Sequence, residues 1–496
     1  MPLPKLIEII PFAASVRTEI TVPGSKSITN RALILAALAE GEVTLTGALW
    51  SEDTQVMVEA LKTLGFAVQV VPDPEESCNR IITVRGLGGT IPHAGTPEQP
   101  LEIFVGNAGT AARFLAALVC LGNGVYRLSG VPRMHERPQA ALFQALRQLG
   151  HRVESAKDKL PAVIHGSAER GAPSASATPC QVSVAESSQF ASALLLCAER
   201  GGWTVQVTGA NAEEMPYVEM TRKLCAAFPG HGGEFHIEPD ASSASYFWAA
   251  GWLAPAAFSM EVAPDPALDE ALDGFLAANL GQPFVSLRDA VVRRKLWQAA
   301  FDKSQDARFV GALRWLDYLE SHSDVAVCGA PVSGWQIDGA FRRFWPLPAE
   351  ISRQRDLGDS IMTAIVLAAF GARPTRFVAL APLRVQECER VAALRTELTK
   401  CGVEVLERGD ELTVFPSSAK VHGAEIETYD DHRMAMCFAI LGLKVPGVRI
   451  HNPACVKKTF PNFFQKLAAP APDGLGVEIR DARSGRRLAL EELFAE

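Results

Sequence analysis

The chain lacks several things, and each absence excludes a class. Its longest apolar runs, around Ile361 to Phe370 and Met434 to Leu443, fall short of the ~20 residues a bilayer-crossing helix needs. Glu8 interrupts the apolar stretch between Met1 and Phe12, so the start of the sequence does not read as a secretory signal. None of the ten cysteines forms a C-x-x-C pair, and several (Cys120, Cys197, Cys437) sit inside apolar stretches, which points to reduced thiols rather than a disulfide framework. No Cys/His cluster has metal-ligand spacing, and no metal or organic cofactor is expected. Positive charge is also scarce: 48 Lys and Arg stand against 56 Asp and Glu, a formal net charge of −8. A surface this acidic is a poor binder of nucleic acid, so any anionic ligand must be held by a local cluster of Lys and Arg. The expectation is a cytoplasmic protein with no membrane and no nucleic-acid partner.

What the sequence has in quantity is a repeated unit. At 496 residues, 48% hydrophobic and 21% charged, the chain is folded and too long for one ordinary core. From Gly24 it reads GSKSITNRALILAALAEGEVTLTGALWSEDTQVMVEALKTLG. Small polar residues open an Ala/Leu-rich helix, a glycine near Gly41 ends it, a strand VTLTG follows, and an amphipathic helix closes on Gly65. The same grammar returns from Gly106 and from Glu186, and less completely from Asp240, Asp356 and Tyr429. The first helix of each unit is nearly all apolar and is predicted to be buried; the second is amphipathic and is predicted to lie outside. Buried helices that begin at Ser, Thr, Asn, Gly or Asp leave unpaired backbone N–H groups and the positive end of the macrodipole at their N-termini. Several such ends facing one cleft make a site for phosphate and carboxylate groups.

The residues at these junctions carry a resemblance. GSKSITNRA at Gly24, GNAGTAAR at Gly106, RMHERP at Arg133, SSQF at Ser187, DASSASYF at Asp240, TYDDHRMAMCF at Thr428 and KTFP at Lys458 match, in order, the motifs of the 5-enolpyruvylshikimate-3-phosphate (EPSP) synthases. The resemblance implies transfer of the enolpyruvyl group of phosphoenolpyruvate to the 5-hydroxyl of shikimate 3-phosphate, with release of phosphate, by a monomer whose partners are those small molecules. It also implies an α/β fold of two similar domains with three repeats each, an inside-out barrel with helices inside, sheets outside and the cleft between domains. The first domain is expected at 21–240, and the second at 1–20 plus 241–496. On the same basis Lys26, Arg137, Arg390, Arg433 and Lys458 correspond to residues around phosphoenolpyruvate, where Asn107, Gly109 and Thr110 also fall. Gly109 leaves room there, and it implies access for glyphosate, an inhibitor that competes with phosphoenolpyruvate, although Phe114 stands where the family often has proline. Ser27, Arg31, Ser187, Ser188, Gln189 and Tyr217 correspond to residues holding the shikimate moiety and its phosphate. Asp359 and Glu387, with Lys26, take the catalytic positions: addition of a hydroxyl oxygen to C2 while C3 gains a proton needs a base and an acid whose roles exchange as phosphate leaves.

The sequence departs from the family at Gln386, where a lysine is usual, at Pro382 in place of an asparagine, and at Glu214 in place of a serine. All three belong to the acceptor side, and a basic residue of the long insert at about 252–355, such as Arg342 or Arg343, is the expected compensation. That insert holds five of the eight tryptophans and two helical-looking segments, SLRDAVVRRKLWQAAF and FVGALRWLDYLESH, read as a structural elaboration on the second domain. Two other readings stay open: an enolpyruvyl transferase with a different acceptor, and a catalytically silent anion-binding paralogue. The relative that uses UDP-N-acetylglucosamine is disfavoured because the segment VPRMHERP holds no cysteine.

Overall fold

The computed structural model describes residues 3–14, 16, 18–167, 177–209, 215–254, 325–327, 331, 333–416 and 418–495. Two hydrophobic cores organise them. One is built from residues between Ile28 and Ile237. The other joins Leu3, Ile7, Ile9, Ile20 and Val22 to residues from Ala244 to Ala495. Six helices run through these cores: Lys26–Leu38, Gly109–Leu118, Gln189–Gly201, Ala241–Leu253, Ile361–Leu367 and His432–Gly442. Ala and Leu give them helix propensity, and apolar residues on nearly every side leave them little to offer water, with Glu199 exposed near the end of the third. Every residue of Gly109–Leu118, Ile361–Leu367 and His432–Gly442 is buried. The helices Glu52–Thr63, Ala140–Gln148, Met215–Ala227 and Arg390–Lys400 bury one side only.

The strands fall into the same arrangement in both halves. Among the described residues each half has two four-stranded sheets and one two-stranded sheet. Strands flanking a buried helix pair in parallel, as Leu101–Phe104 does with Val125–Ser129 and Thr178–Ser183 with Trp203–Thr208. The second half repeats this with Glu350–Ser352 and Thr375–Val378, and with Glu425–Ile426 and Val448–His451. Each buried helix therefore leaves the end of one strand and returns to begin the next, which sets all the helix starts toward one region.

Two of these units are exchanged between the halves. The strand before the first helix, Thr18–Ile20, pairs with Val325–Val327, which follows the fourth helix. The strand before the fourth helix, Gly233–His236, pairs with Glu40–Leu49, which follows the first. Where the two crossing segments pass they are laced together: Ser25 N donates to Glu238 O at 3.0 Å, and Asp240 N donates to Pro23 O at 2.8 Å. A side chain at Gly24 would put its Cβ 1.9 Å from Gly47 O, so only glycine fits this crossing. The strand Leu6–Ile9 lies between Val448–His451 and Ile479–Asp481, antiparallel to both.

The first helix ends at Leu38, earlier than the sequence suggests. Ala39 is its C-cap, and Gly41 belongs to the following strand with φ at +128°. A Cβ there would meet His231 O at 3.1 Å, so this glycine serves close strand packing rather than helix termination. The two helical-looking segments of the insert lie outside the described residues. The insert's C-terminal end packs on the fourth buried helix, where Trp252 stacks between Phe341 and Trp345 with ring centroids 5.3 Å away on each side. The nine cysteines among the described residues are all unpaired.

Candidate active site

The starts of all six buried helices contribute to one cleft, through Lys26, Thr110, Gln189, Ser242, Asp359 and Arg433. In four of the helices the N-cap residue, Ser25, Ala108, Ser188 or Ser360, makes no capping bond with its own side chain, although Ser187 Oγ accepts from Gln189 N at 3.2 Å. The remaining two are capped by their own carboxylates: Asp240 accepts from Ser243 N at 2.7 Å and Asp431 from Arg433 N at 2.8 Å. The uncapped ends present N–H donors and partial positive charge, the condition for binding anions.

On the second-half wall the charges are interlocked. Arg390, almost wholly buried, donates to Asp431 Oδ2 at 2.7 Å and to Glu387 Oε2 at 3.0 Å, and its Nη1 also reaches Gln386 Oε1. Lys458 Nζ stands 3.1 Å from Glu387 Oε1. Asp359 lies among three guanidinium groups, with Arg433 at 2.9 Å, Arg353 at 3.5 Å and Arg390 at 3.9 Å. Burial pushes the Asp359 carboxyl up, but these arginines outweigh it and hold the group at about 2. Glu387 follows the same pattern. Burial opposes its charge, Lys458 and Arg390 favour it more strongly, and its pKa lies well below the usual carboxylate range. Both carboxylates are thus ionised and able to accept protons, at the cost of being weak bases until the surrounding cations are engaged elsewhere.

The first-half wall is different. Lys26 Nζ pairs with Asp53 at 3.1 Å. Arg31 is buried and, among the described residues, bonds neutral groups: Thr221 Oγ1 at 2.8 Å, Ser27 O at 2.8 Å and Ser192 Oγ at 3.1 Å. Burial lowers its pKa to about 10, and its guanidinium lies 5.3 Å from the centre of the Phe114 ring. Arg137 donates to Asn107 O at 3.2 Å and has no carboxylate partner among the described residues. A Cβ at Gly109 would come within 2.7 to 2.8 Å of the Arg137 guanidinium, so this position keeps Arg137 in place by having no side chain. Gln189 links Thr110 Oγ1 at 3.2 Å and Arg113 Nη1 at 2.6 Å.

The residues singled out in the sequence gather in this one place. Lys26, Ser27, Arg31, Thr110, Arg137, Ser187, Ser188, Gln189, Tyr217, Asp359, Gln386, Glu387, Arg390 and Arg433 line the cleft. Asn107, Gly109 and Lys458 reach it through the contacts above. Glu214 lies outside the described residues. Arg342 and Arg343 do not reach the cleft: both are exposed, and Arg342 lies over the Trp248 ring at 6.0 Å. Among the described residues of that region, the basic residue that lines it is Arg353.

Other residues of the site went unremarked in the sequence. Asp338 accepts from Gly358 N at 2.7 Å, Ser360 N at 3.2 Å and Ser242 Oγ at 2.5 Å, tying two helix starts together from a segment with no motif. His432 sits inside a matching motif and lines the cleft, with both ring nitrogens buried and without a hydrogen-bond partner among the described residues. Burial and the neighbouring Arg433 push its pKa well down, so it is neutral. Asp431, next to it, was legible as an N-cap aspartate before an apolar run. Among the described residues no cluster of His, Cys, Asp and Glu is placed to hold a metal ion.

The family model described as EPSP synthase (3-phosphoshikimate 1-carboxyvinyltransferase) matches residues 12–263 and 348–467. A 3-phosphoshikimate 1-carboxyvinyltransferase from Opitutus terrae is 36% identical, the match covering 94% of this chain and 98% of that protein. Another, from Paraburkholderia phytofirmans, is 35% identical over 94% of this chain and 99% of its own length. Among solved structures, an EPSP synthase from Acinetobacter baumannii superposes with a TM-score of 0.61 at 20% identity, covering 96% of this chain and all of that one. The enolpyruvyl transferase NikO from Streptomyces tendae superposes with a TM-score of 0.54 at 16% identity, covering 97% of this chain and 99% of its own. These two likenesses bear on the fold, which is two-domain α/β.

Proposed function

This chain belongs to the EPSP synthase family, and from that membership we propose how its own residues carry out the family's reaction, the transfer of the enolpyruvyl group of phosphoenolpyruvate to shikimate 3-phosphate. Both substrates are polyanions, and their mutual repulsion must be offset by fixed cations in a cleft shielded from water. We assign Lys26, Arg137, Arg390, Arg433 and Lys458 to phosphoenolpyruvate, with Asn107, Gly109 and Thr110 shaping that pocket. Ser27, Arg31, Ser187, Ser188, Gln189 and Tyr217 are assigned to shikimate 3-phosphate, together with Gln386 and Asp359. The observation that carries this reading is the wedging of Asp359 and Glu387 among cations that phosphoenolpyruvate would claim.

The chemical step follows from that wedging. When substrate phosphate or carboxylate engages Arg433, Arg390 and Lys458, the cations that hold the two carboxylates at low pKa are drawn away. Their basicity rises at the moment it is needed. Asp359 takes the proton of the acceptor hydroxyl as its oxygen bonds to C2, while the Lys26 ammonium supplies the proton that C3 gains, relayed by Glu387, which is itself ionised at rest. Loss of a proton from C3 and departure of phosphate then restore the double bond, with the same groups in reversed roles.

The finer architecture we read as inside-out: helices such as Gly109–Leu118 form the interior, and the sheets lie around them. The domains are assigned to 21–240 and to 1–20 plus 241–496. The two core clusters support the boundary at 240, which falls between Ile237 and Ala244; near the other boundary the core changes between Val22, which packs in the second, and Ile28, which packs in the first. A monomer working in the cytoplasm completes the proposal, and size-exclusion chromatography with light scattering tests the monomer. Arg433→Ala and Lys458→Ala test the site. Each should raise KM for phosphoenolpyruvate by about tenfold or more while changing shikimate 3-phosphate affinity little, because truncation leaves substrate charge unpaired. Wild-type kinetics in either would remove the assignment.

A further inference from the structure

The peptides on either side of Asp359 are held by a carboxylate from another element. Asp338 is 4% exposed and lies near the start of the short helix Ile337–Phe344. Its Oδ1 accepts from Gly358 N at 2.7 Å, from Ser360 N at 3.2 Å and from the Ser360 hydroxyl. The two backbone donors bracket Asp359 in the chain. Its Oδ2 accepts from the Ser242 hydroxyl, in the first turn of the helix Ala241–Leu253.

The segment that carries Asp338 is itself fastened to that helix. Two residues earlier, Gln336 accepts from Ala241 N at 2.9 Å and donates to Pro239 O at 2.8 Å. Three residues later, Phe341 is fully buried and stacks on Trp248 and Trp252, with ring centroids 6.2 and 5.3 Å away. Asp338 therefore reaches from a packed support to the turn around Asp359. From the other side the same turn meets the first half: a Cβ at Gly358 would lie 2.8 Å from the Tyr217 hydroxyl and 3.1 Å from Asp338 Oδ2.

We propose that Asp338 is a positioning residue for the reaction: it sets the turn that carries Asp359 and so aims that carboxylate at the acceptor hydroxyl. The inference rests on Asp359 being the base, as assigned above. A base must stand within hydrogen-bond reach of the proton it takes, and a displacement of about 1 Å can cost about 100-fold in rate. Asp338 acts through the neighbouring N–H groups, and its contribution is geometry.

Steady-state kinetics of three variants test this. Asp338→Ala should lower kcat about tenfold to 100-fold and leave KM for both phosphoenolpyruvate and shikimate 3-phosphate within about threefold. Asp338→Asn keeps an oxygen for Gly358 N and Ser360 N and offers an N–H to the Ser242 hydroxyl, so it should bring kcat back to within about fivefold of wild type. An unchanged kcat in Asp338→Ala, or a rise in both KM values as large as the fall in kcat, would overturn the proposal. So would an Asp338→Asn enzyme as slow as Asp338→Ala, because charge rather than placement of the turn would then be at work. Should Asp338→Ala not fold, Asp338→Glu reads the same split: it keeps the charge but moves both oxygens outward by a methylene, and wild-type kcat there sinks the idea. Asp359→Ala checks the premise. Near-normal kcat in that variant would remove the base assignment and this inference with it, whereas a large loss at Asp359 with none at Asp338 removes only the inference.

Discussion

At Gly109 the sequence motif and the structure give different parts of one explanation. The motif marks a glycine near phosphoenolpyruvate, and the structure shows what a methyl group would strike: the Arg137 guanidinium, at 2.7 to 2.8 Å. Gly109→Ala should therefore displace Arg137 and raise KM for phosphoenolpyruvate by roughly tenfold with a smaller change for the acceptor, and it should weaken inhibition by glyphosate in parallel. Unchanged inhibition constants would remove the contact. Asp359 makes a second prediction, read in pH. Its carboxyl sits at about 2 in the folded protein, against about 3.9 in an unfolded chain. The unfolded state takes up the proton first, so this group's stabilisation is present above about pH 4 and is lost as pH falls toward 2. Acid unfolding of Asp359→Asn should be flatter than wild type across that window, and an equal slope would mean that other carboxylates carry the effect. Residues such as Lys26 and Arg433 were legible because they sit at repeat junctions in recognisable motifs. Asp338 and Arg353 were not, because what makes them part of the site is the folding back of a motif-free segment onto two helix starts.

Among the elements, the start of the helix His432–Gly442 is organised by one side chain, Asp431. Asp431 is fully buried, caps this helix through Arg433 N, and holds Arg390 Nε at 2.7 Å at the start of another helix. Asp431→Ala removes a cap worth about 1 kcal/mol and strands a buried guanidinium, so the loss should be about 3 to 5 kcal/mol in urea unfolding. A loss under about 1 kcal/mol would show that Glu387 compensates. The buried helices were readable as nearly all-apolar segments opened by small polar residues, and the outer helices by their amphipathic period. Boundaries were less so. Gly41 looked like a helix stop, yet its unusual φ serves the approach of His231, a partner 190 residues away that no local pattern announces.

Across the whole molecule, the two halves are held together beside their crossing segments by a compact polar tie. Glu76 is buried in the first half and meets Lys466 Nζ at 2.8 Å, Asn462 Nδ2 at 2.7 Å and Thr21 Oγ1 at 2.6 Å. Lys466→Met should leave the Glu76 charge uncompensated and lower stability by about 3 kcal/mol without changing the urea m-value. A change below about 1 kcal/mol would make the tie incidental. The pairing of Leu6–Ile9 with Val448–His451 has a consequence in time. During synthesis at about 5 to 20 residues per second, this strand leaves the ribosome roughly 20 to 90 s before its partner exists. The first core, complete by Ile237, has time to close while the N-terminal strand is still unpaired. The cleft, which needs both walls, is then the last part of the enzyme to be assembled.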